Sequence, residues 1–282
     1  MRTLVITGAA SGLGLEFARL GAARGFSLVL ADVDVKGLEA AAGELEGLGS
    51  GVLVQRCDVA SDEDVARLAD ACLERFGAPH WVFNNAGVAG GGLLWEQPIE
   101  DWQWVLGVNL MGVVHGIRHF VPAMLERARA ETAYRGIVMN TASMAGLLNA
   151  PLMGVYNASK HAVVSLSETL EQDLRLVTRQ VRAAVLCPYF VPTAIAHSER
   201  NRPSHLARAL ATKTLSQQVA QMQSERAVAS GKVSAREVAE RVFAGLEDGA
   251  FYLFSHPQAL DPGRWRTEVM LAARPPAGPV AA

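Results

Sequence analysis

The feature that most constrains the fold is a regular alternation of short runs of branched apolar residues with longer segments whose apolar residues recur at helical spacing. Each return between neighbouring parallel strands needs a crossover, which is usually a helix. The alternation therefore indicates a parallel sheet covered by helices on both faces. We predict a doubly wound α/β fold.

The predicted elements follow one another without a composition break that would mark a second domain. Strands are predicted at 3–7, 27–31, 51–57, 81–83, 137–140, 181–186 and 251–254, and helices at 13–23, 35–48, 62–76, 102–125, 156–177 and 234–246. Residues 127–135 are predicted to form a surface insertion. Residues 190–231 are polar and helix-prone, and they are either a lid over the strand ends or an oligomer contact or mobile surface. We assign 1–273 to a single domain and 274–282 to a loose tail.

Composition limits the classes of partner and compartment. The formal net charge of −2 provides no broad attraction to nucleic acid or to an anionic membrane. No apolar run approaches the roughly 18 residues of a membrane-spanning helix, and the first strand leaves no room for a secretory signal. Cys57, Cys72 and Cys187 form no Cys-x-x-Cys pair, and three cysteines cannot all pair within one chain. We therefore expect a cytoplasmic protein without nucleic acid or membrane partners.

A glycine-rich turn joins the first predicted strand to the first predicted helix. Gly8, Gly12 and Gly14 stand in the segment Thr-Gly-Ala-Ala-Ser-Gly-Leu-Gly that begins at Thr7. Gly8 permits a tight turn, while Gly12 and Gly14 permit a close approach of the backbone to a pyrophosphate and of the helix to the strand. The N-terminus of the helix attracts the anion. This context predicts a dinucleotide site of the Rossmann type.

Two acidic residues follow the next two predicted strands. Asp32 stands eighteen residues after Gly14, near the spacing of the carboxylate that binds the adenosine ribose hydroxyls. A carboxylate there repels the 2′-phosphate of NADP, and Ser11 is neutral, so NAD is the predicted cofactor. Lys36 is the one nearby positive charge that could attract this phosphate, and we assign it to a helix surface. Asp58 either accepts a hydrogen bond from the adenine amino group or stabilises the turn before the next helix.

Tyr156 and Lys160 share one face of a predicted helix, four residues apart. Taken alone, such a pair is more often a solvated surface pair than a functional one. Together with a dinucleotide loop it points to a nicotinamide-dependent oxidoreductase, in which any hydride transfer at an alcohol carbon requires a proton to move at the oxygen. A phenol with a pKa of about 10 is a poor base at neutral pH. We expect the Lys160 ammonium and an oxidised nicotinamide ring to lower the pKa of Tyr156.

Four ordered motifs together resemble the short-chain dehydrogenase/reductase family over roughly residues 2–193. They are the glycine-rich turn, the segment Asn84-Asn85-Ala86-Gly87, Asn109, and Ser143 with the Tyr-x-x-x-Lys pair. The resemblance implies an NAD(P)-dependent oxidoreductase that interconverts an alcohol and a ketone. It also implies a homodimer or homotetramer with the helices predicted at 102–125 and 156–177 in the interface.

The resemblance further implies a role for each matching residue. Tyr156 would be the general acid/base, Ser143 would orient the substrate oxygen, Lys160 would hold the nicotinamide ribose, and Asn109 would hold a water between Lys160 and solvent. Cofactor contacts would come from Gly8, Ser11, Gly12, Leu13, Gly14, Asp32, Asp58, Val59, Asn85, Ala86, Gly87, Tyr156, Lys160, Val191 and Thr193. The chain departs from the family pattern at Tyr189, which stands where glycine is usual.

The expected substrate is a small hydrophobic alcohol or ketone, because Phe190, Ile195 and Met222 supply apolar side chains after the last long strand. A rival interpretation is a non-catalytic module that senses NAD with the same fold. His115 and His119 share a helix face, but they lack the glutamate of His-Glu-x-x-His and an evident third ligand. No metal site is therefore predicted.

Overall fold

The computed structural model describes residues 2–46, 51–208 and 213–276. The strands are β1 (Arg2–Thr7), β2 (Phe26–Asp32), β3 (Val52–Arg56), β4 (Trp81–Asn84), β5 (Gly136–Thr141), β6 (Val181–Cys187) and β7 (Tyr252–Phe254). The α-helices are α1 (Gly12–Ala23), α2 (Val35–Glu46), α3 (Asp62–Phe76), α4 (Ile99–Leu106), α5 (Gly112–Ala130), α6 (Gly154–Val177), α7 (Leu215–Ala229), α8 (Ala235–Glu247) and α9 (Asp261–Leu271). These strands form one parallel sheet in the order β3-β2-β1-β4-β5-β6-β7.

Apolar side chains on both faces explain why the sheet lies in the centre. One apolar cluster packs α1, α2 and α8 on one face, and a second packs α3, α5 and α6 on the other. Strand β5, with helices on both sides, is buried along its whole length. The predicted doubly wound Rossmann fold is confirmed.

The strand order reverses at β1. From β1 the chain winds through β2 and β3 in one direction and, after returning to β4, through β5 to β7 in the other. The segments that follow β1 and β4 therefore diverge and leave a crevice at the carboxyl edge of the sheet. Ligands of open α/β sheets bind at such a point.

The helices differ from the prediction in several places. The helix predicted at 102–125 is divided into α4 and α5 by a π-helical turn at Gly107–Met111. Because α5 continues to Ala130, the insertion predicted at 127–135 is shorter than expected. Helix α2 ends at Glu46, and residues 47–48 of its prediction lie outside the described residues. Helix α9 was not predicted.

The region after β6 contains short 3-10 segments at Ala194–Asn201 and Ser204–Leu206, followed by α7. Residues 209–212 of the predicted lid and 277–282 of the predicted tail lie outside the described residues. Across the part of the chain that the structure describes, every helix is too short or too polar to cross a membrane.

Candidate active site

A large cavity follows the carboxyl edge of the sheet. Its volume is about 950 Å³, at the upper end of the roughly 300–1,000 Å³ of ligand pockets. Asp58 after β3 and Asp32 in β2 line it, and so do Ser143 after β5 and Pro188 after β6. Since β3 and β6 lie on opposite sides of β1, the cavity crosses the switch point. Its extent suits a dinucleotide and a substrate bound side by side.

The glycine-rich turn needs its glycines for two different reasons. Gly8 and Gly12 have φ values of 68° and 55°, in the left-handed region that side chains rarely adopt. A Cβ at Gly14 would lie 2.0 Å from the carbonyl oxygen of Gly8, so glycine is required for α1 to pack on the turn. A Cβ at Gly12 would lie 3.3 Å from the side chain of Thr193, which faces the turn from the segment after β6.

Thr7 joins the glycine-rich turn to the segment after β4. Its hydroxyl donates to the carbonyl of Phe83 and accepts hydrogen bonds from the backbone N–H groups of Asn85 and Ala86. The Asn85 side chain donates to the Thr7 carbonyl and accepts from the hydroxyl of Thr141. These bonds hold Asn85 and Ala86 at the cavity. The sequence analysis assigns no role to Thr7, although a polar residue at the end of an apolar strand could have indicated one.

Asp32 and Asp58 lie at the β2–β3 end of the cavity. The Asp32 carboxylate accepts hydrogen bonds from the backbone N–H groups of Ala10 and Asp34, both at 3.0 Å, which fixes its orientation. Asp58 Oδ1 accepts from the N–H of Ala60 at 3.0 Å and therefore stabilises its turn. Asp58 also lines the cavity, so both interpretations of this residue fit the structure.

Ser143, Tyr156 and Lys160 line the same cavity. The Ser143 hydroxyl, after β5, donates to the carbonyl of Pro188 at 3.4 Å. Lys160 is 2% exposed, and its Nζ donates to the carbonyl of Thr141 at 2.8 Å. The same Nζ lies 5.7 Å from the centre of the Tyr156 ring. The lysine is thus close to the phenol but is bonded to the backbone of β5.

The pKa values of this pair have a common physical cause. Burial raises the pKa of Tyr156, and hydrogen bonding with Ser143 acts in the opposite direction. Burial lowers the pKa of Lys160 to about 8, because a buried ammonium loses hydration. The predicted lowering of the Tyr156 pKa by Lys160 does not occur in the protein alone. Desolvation dominates, and the ammonium bonds to Thr141 rather than to the phenol.

We expect Lys160→Met to stabilise the protein against unfolding by about 2 kcal/mol at neutral pH, because the roughly 3 kcal/mol cost of the buried charge is offset in part by the lost hydrogen bond to Thr141. The pKa of Lys160 is about 8 in the fold against an ordinary 10.5, so the unfolded chain binds this proton more tightly. The stability cost of the charge is complete below about pH 8, falls as the pH rises and is absent above about 10.5. Denaturant unfolding across this range measures it, with the exposed Lys36→Met as control. An advantage that did not change with pH would contradict the assignment.

Asn109 does not line the cavity, but it connects the π-helical turn to Val88 and to Ser159 in α6. It lies fully buried in the π-helical turn. Its Oδ1 accepts from the N–H of Val88, and its Nδ2 donates to the Val88 carbonyl and to the hydroxyl of Ser159, the neighbour of Lys160. Both side-chain donors are therefore used within the protein. The water predicted between Asn109 and Lys160 stays a prediction.

Apolar side chains line the part of the cavity beyond Tyr156. The rings of Tyr189 and Phe190 lie 4.4 Å apart and both line it, as does Ile195. The expectation for Met222 is wrong: this residue is exposed on α7 and does not line the cavity. Helix α9 supplies a further wall through Pro262, Trp265, Arg266, Val269 and Met270.

A buried ion cluster attaches the segment after β6 to α4. Asp101 is 1% exposed and accepts hydrogen bonds from Arg202 at 2.7 Å and from Arg208 at 2.8 Å. Glu199 also pairs with both arginines, and the Arg202 guanidinium lies 4.2 Å from the centre of the Trp104 ring. We call Asp101, Arg202 and Arg208 the Asp101 cluster. It fixes one wall of the cavity, and the sequence interpretation did not identify it.

His115 and His119 both have partners within the fold. His115 Nδ1 lies 2.9 Å from the Val59 carbonyl, and His119 Nε2 lies 2.8 Å from an oxygen of Asp62. Among the described residues no group of three or more histidine, cysteine, aspartate or glutamate side chains is arranged to hold a metal ion.

The cavity brings together most of the predicted site residues. Its lining includes Gly8, Ser11, Gly12, Leu13, Asp32, Asp58, Val59, Asn85, Ala86, Gly87, Ser143, Tyr156, Lys160, Val191 and Thr193. Gly14 and Asn109 do not line it. They support the site through the packing of α1 and through the hydrogen bonds of the π-helical turn.

Comparison with known proteins identifies the family of this chain. A family model described as short chain dehydrogenase matches residues 2–204. The chain belongs to the short-chain dehydrogenase/reductase family. The chain is therefore an oxidoreductase of a family that uses nicotinamide cofactors, and the predicted family is confirmed.

The chain is similar to one family member of known structure and to two dehydrogenases with different substrates in their names. Its structure is similar to that of a family member from Burkholderia phymatum solved in complex with NAD, with a TM-score of 0.96 and 48% identity over 100% of this chain and 98% of that chain. It is 36% identical to a 1-deoxy-11-beta-hydroxypentalenate dehydrogenase from Streptomyces exfoliatus, over 92% of this chain and 84% of the relative. It is 32% identical to a cyclohexanol dehydrogenase from an Acinetobacter species, over 69% of this chain and 74% of the relative.

Proposed function

We propose that this chain is an NAD-dependent oxidoreductase that interconverts a secondary alcohol and a ketone by hydride transfer, with Tyr156 as the general acid/base. The observation that carries the proposal is that one cavity joins the glycine-rich turn and Asp32 to Ser143, Tyr156 and Lys160. The names of the hydroxypentalenate and cyclohexanol dehydrogenases support an alcohol as the reduced substrate.

The lining residues fit a nicotinamide dinucleotide. Gly8 and Gly12 leave the backbone uncovered at the N-terminus of α1, where a pyrophosphate is favoured. The oriented Asp32 carboxylate can accept hydrogen bonds from an adenosine ribose. Val191 and Thr193 line the same cavity and would contact the carboxamide of the nicotinamide.

The chain's own residues move and position the proton. When bound, the nicotinamide supplies the hydride chemistry. In oxidation, the Tyr156 phenolate takes the proton of the alcohol oxygen as the hydride leaves the carbon; in reduction, the phenol returns a proton to that oxygen. Ser143 holds the same oxygen by a hydrogen bond. Because burial raises the pKa of Tyr156, the phenol form required for ketone reduction is favoured in the protein alone.

Asp32→Ala is expected to lower the ratio of kcat/KM for NAD to that for NADP by about tenfold or more, because a carboxylate repels the 2′-phosphate. Ser11 is neutral, and Lys36 is exposed and does not line the cavity, so neither offsets this repulsion. Initial rates with both cofactors measure the ratio. Asp34→Ala, which removes a neighbouring carboxylate outside the lining, is the control. A wild-type protein that already preferred NADP would contradict the role of Asp32.

Turnover tests the reaction class. The absorbance of reduced nicotinamide is followed with a broad panel of secondary alcohols and ketones. Turnover that depends on Tyr156 is the expected result. Tight binding of NAD without turnover of any member of the panel would instead favour a module that senses NAD.

We further propose that the enzyme is a cytoplasmic homodimer or homotetramer acting on a small molecule. Helices α4, α5 and α6 would form the interface, as the family resemblance implies. Cys57, Cys72 and Cys187 are all free and buried, which fits a reducing compartment. Light scattering measures the number of subunits.

A further inference from the structure

One face of α9 forms a wall of the cavity. Its lining positions are spaced at i, i+3, i+4, i+7 and i+8, the spacing of a single helical face. They are Pro262, Trp265, Arg266, Val269 and Met270. Leu260 packs on the apolar cluster that contains Ala142 and Met144, and a Cβ at Gly263 would lie 4.0 Å from the side chain of Leu147. Helix α9 is therefore placed beside the segment after β5 that carries Ser143, and not beside Asp32.

The wall at this end of the cavity is largely apolar. Tyr189, Phe190, Trp265 and Met270 all line it, yet between 36% and 58% of each residue's surface is exposed to solvent. Large apolar side chains left exposed around a cavity mark a site at which a ligand removes apolar surface from water. An apolar body is therefore one requirement for the substrate.

The charged side chains that line the cavity are separated by sign. Within the described lining, the acidic residues are Asp32 and Asp58, both at the β2–β3 end. Apart from Lys160, the cationic residues of the lining are Arg200, in the segment after β6, and Arg266 and Arg274, in and just after α9; His205 also lines the cavity. An anionic group on a bound molecule is thus attracted to the end near α9 and repelled from the end near β2 and β3.

Arg266 and Arg274 are the lining arginines whose guanidinium groups have no partner among the described residues. Arg266 is the one held on the face of α9, since Arg274 is exposed beyond the end of that helix. Arg200 donates hydrogen bonds to backbone carbonyls of its own segment. Arg266 is half-buried, and its guanidinium has no hydrogen bond or ion pair with any residue that the structure describes. Arg264, which is on the other face of α9, is exposed and lies 3.9 Å from Asp261. The planar guanidinium of Arg266 presents a fork of donors that matches a carboxylate.

We infer that the substrate is an amphipathic keto acid or hydroxy acid whose carboxylate pairs with Arg266 while the carbon that changes oxidation state lies at Tyr156. The inference rests on the proposed function, because it names the substrate class of the same site. The apolar body contacts the aromatic and methionine side chains of the wall. The carboxylate keeps its charge while the ketone gains a hydride and a proton, so it anchors both the oxidised and the reduced form.

The test compares keto acids with their methyl esters as substrates for reduction by NADH. The acids are levulinate and its longer homologues, which carry a methyl ketone at one end and a carboxylate at the other. We expect kcat/KM for the best keto acid to exceed that for its ester by about tenfold or more. Arg266→Met should remove this preference by raising KM for the acid, with little change for the ester. Arg264→Met, on the opposite face of the same helix, should change neither. Arg266→Lys should keep part of the preference, and added salt should weaken it.

Calorimetric titration with decanoate, which cannot be reduced, measures carboxylate binding without turnover, and thermal unfolding verifies that each variant is folded. Equal kcat/KM for acids and esters, or a preference that survived in the folded Arg266→Met variant, would overturn the inference and leave the proposed function intact. If no ketone or alcohol turned over although NAD bound, the proposed function would fail and this inference with it.

Discussion

Tyr156→Phe is expected to lower kcat by about 100- to 10,000-fold, the usual contribution of a positioned proton donor or acceptor. The substitution removes the hydroxyl that moves the proton and keeps the ring that packs in α6. Binding of NAD should stay within severalfold of wild type, because the glycine-rich turn and Asp32 are unchanged. Rates of NADH oxidation and a fluorescence titration of the cofactor measure the two effects separately.

Tyr189→Phe is the matched control, since it removes the hydroxyl of a second tyrosine that lines the same cavity. The Tyr189 ring packs against Phe190 and His256, and its hydroxyl has no role in the proposed reaction. We expect a change in kcat of less than about threefold in this variant. Similar losses in both variants would mean that Tyr156 acts through packing and not through its proton.

The second large effect is expected from Asp101→Ala, which should destabilise the protein by about 3 kcal/mol. The carboxylate is 1% exposed and bonds to Arg202 and Arg208. Its removal leaves two partly covered guanidinium groups with only Glu199 as an acidic partner. Urea unfolding measures the loss. Because the cluster holds the segment after β6 on α4, KM for the substrate should rise as well.

An exposed ion pair serves as the control, because it shows how much stability is lost when the carboxylate of an unburied pair is removed. Arg236 and Glu240 lie 3.1 Å apart on α8, with most of the Arg236 side chain in water. Glu240→Ala should leave the free energy of unfolding almost unchanged, because solvent screens such pairs. If Asp101→Ala changed the free energy of unfolding as little as Glu240→Ala, water would have to replace the carboxylate at both arginines. The Asp101 cluster would then not hold the segment after β6 in place.

The sheet and the residues that the cavity brings together could be predicted because their signals are local. Buried parallel strands need continuous branched apolar runs, and the turn after β1 needs left-handed glycines at Gly8 and Gly12. The spacing of Tyr156 and Lys160 indicates a shared helix face. Each of these signals is contained within a few neighbouring residues.

The parts that were missed depend on contacts between distant residues. The π-helical turn contains Asn109, which bonds to Val88 and Ser159, 21 and 50 residues away. Asp101 meets its arginines across 101 and 107 residues. The apolar character of Met222 alone predicts a place in the cavity, but the side of α7 on which a residue lies is set by tertiary packing.

The wall formed by α9 comes from a part of the chain that lies outside the match to the family model. The match to the family ends at residue 204, whereas this wall comes from Asp261–Leu271. The residues that we propose to move hydride and proton thus lie in one stretch of the chain, and part of the wall that we propose to bind the substrate lies in another. We expect exchange of the last segment between relatives to change substrate preference and to leave the proposed reaction unchanged.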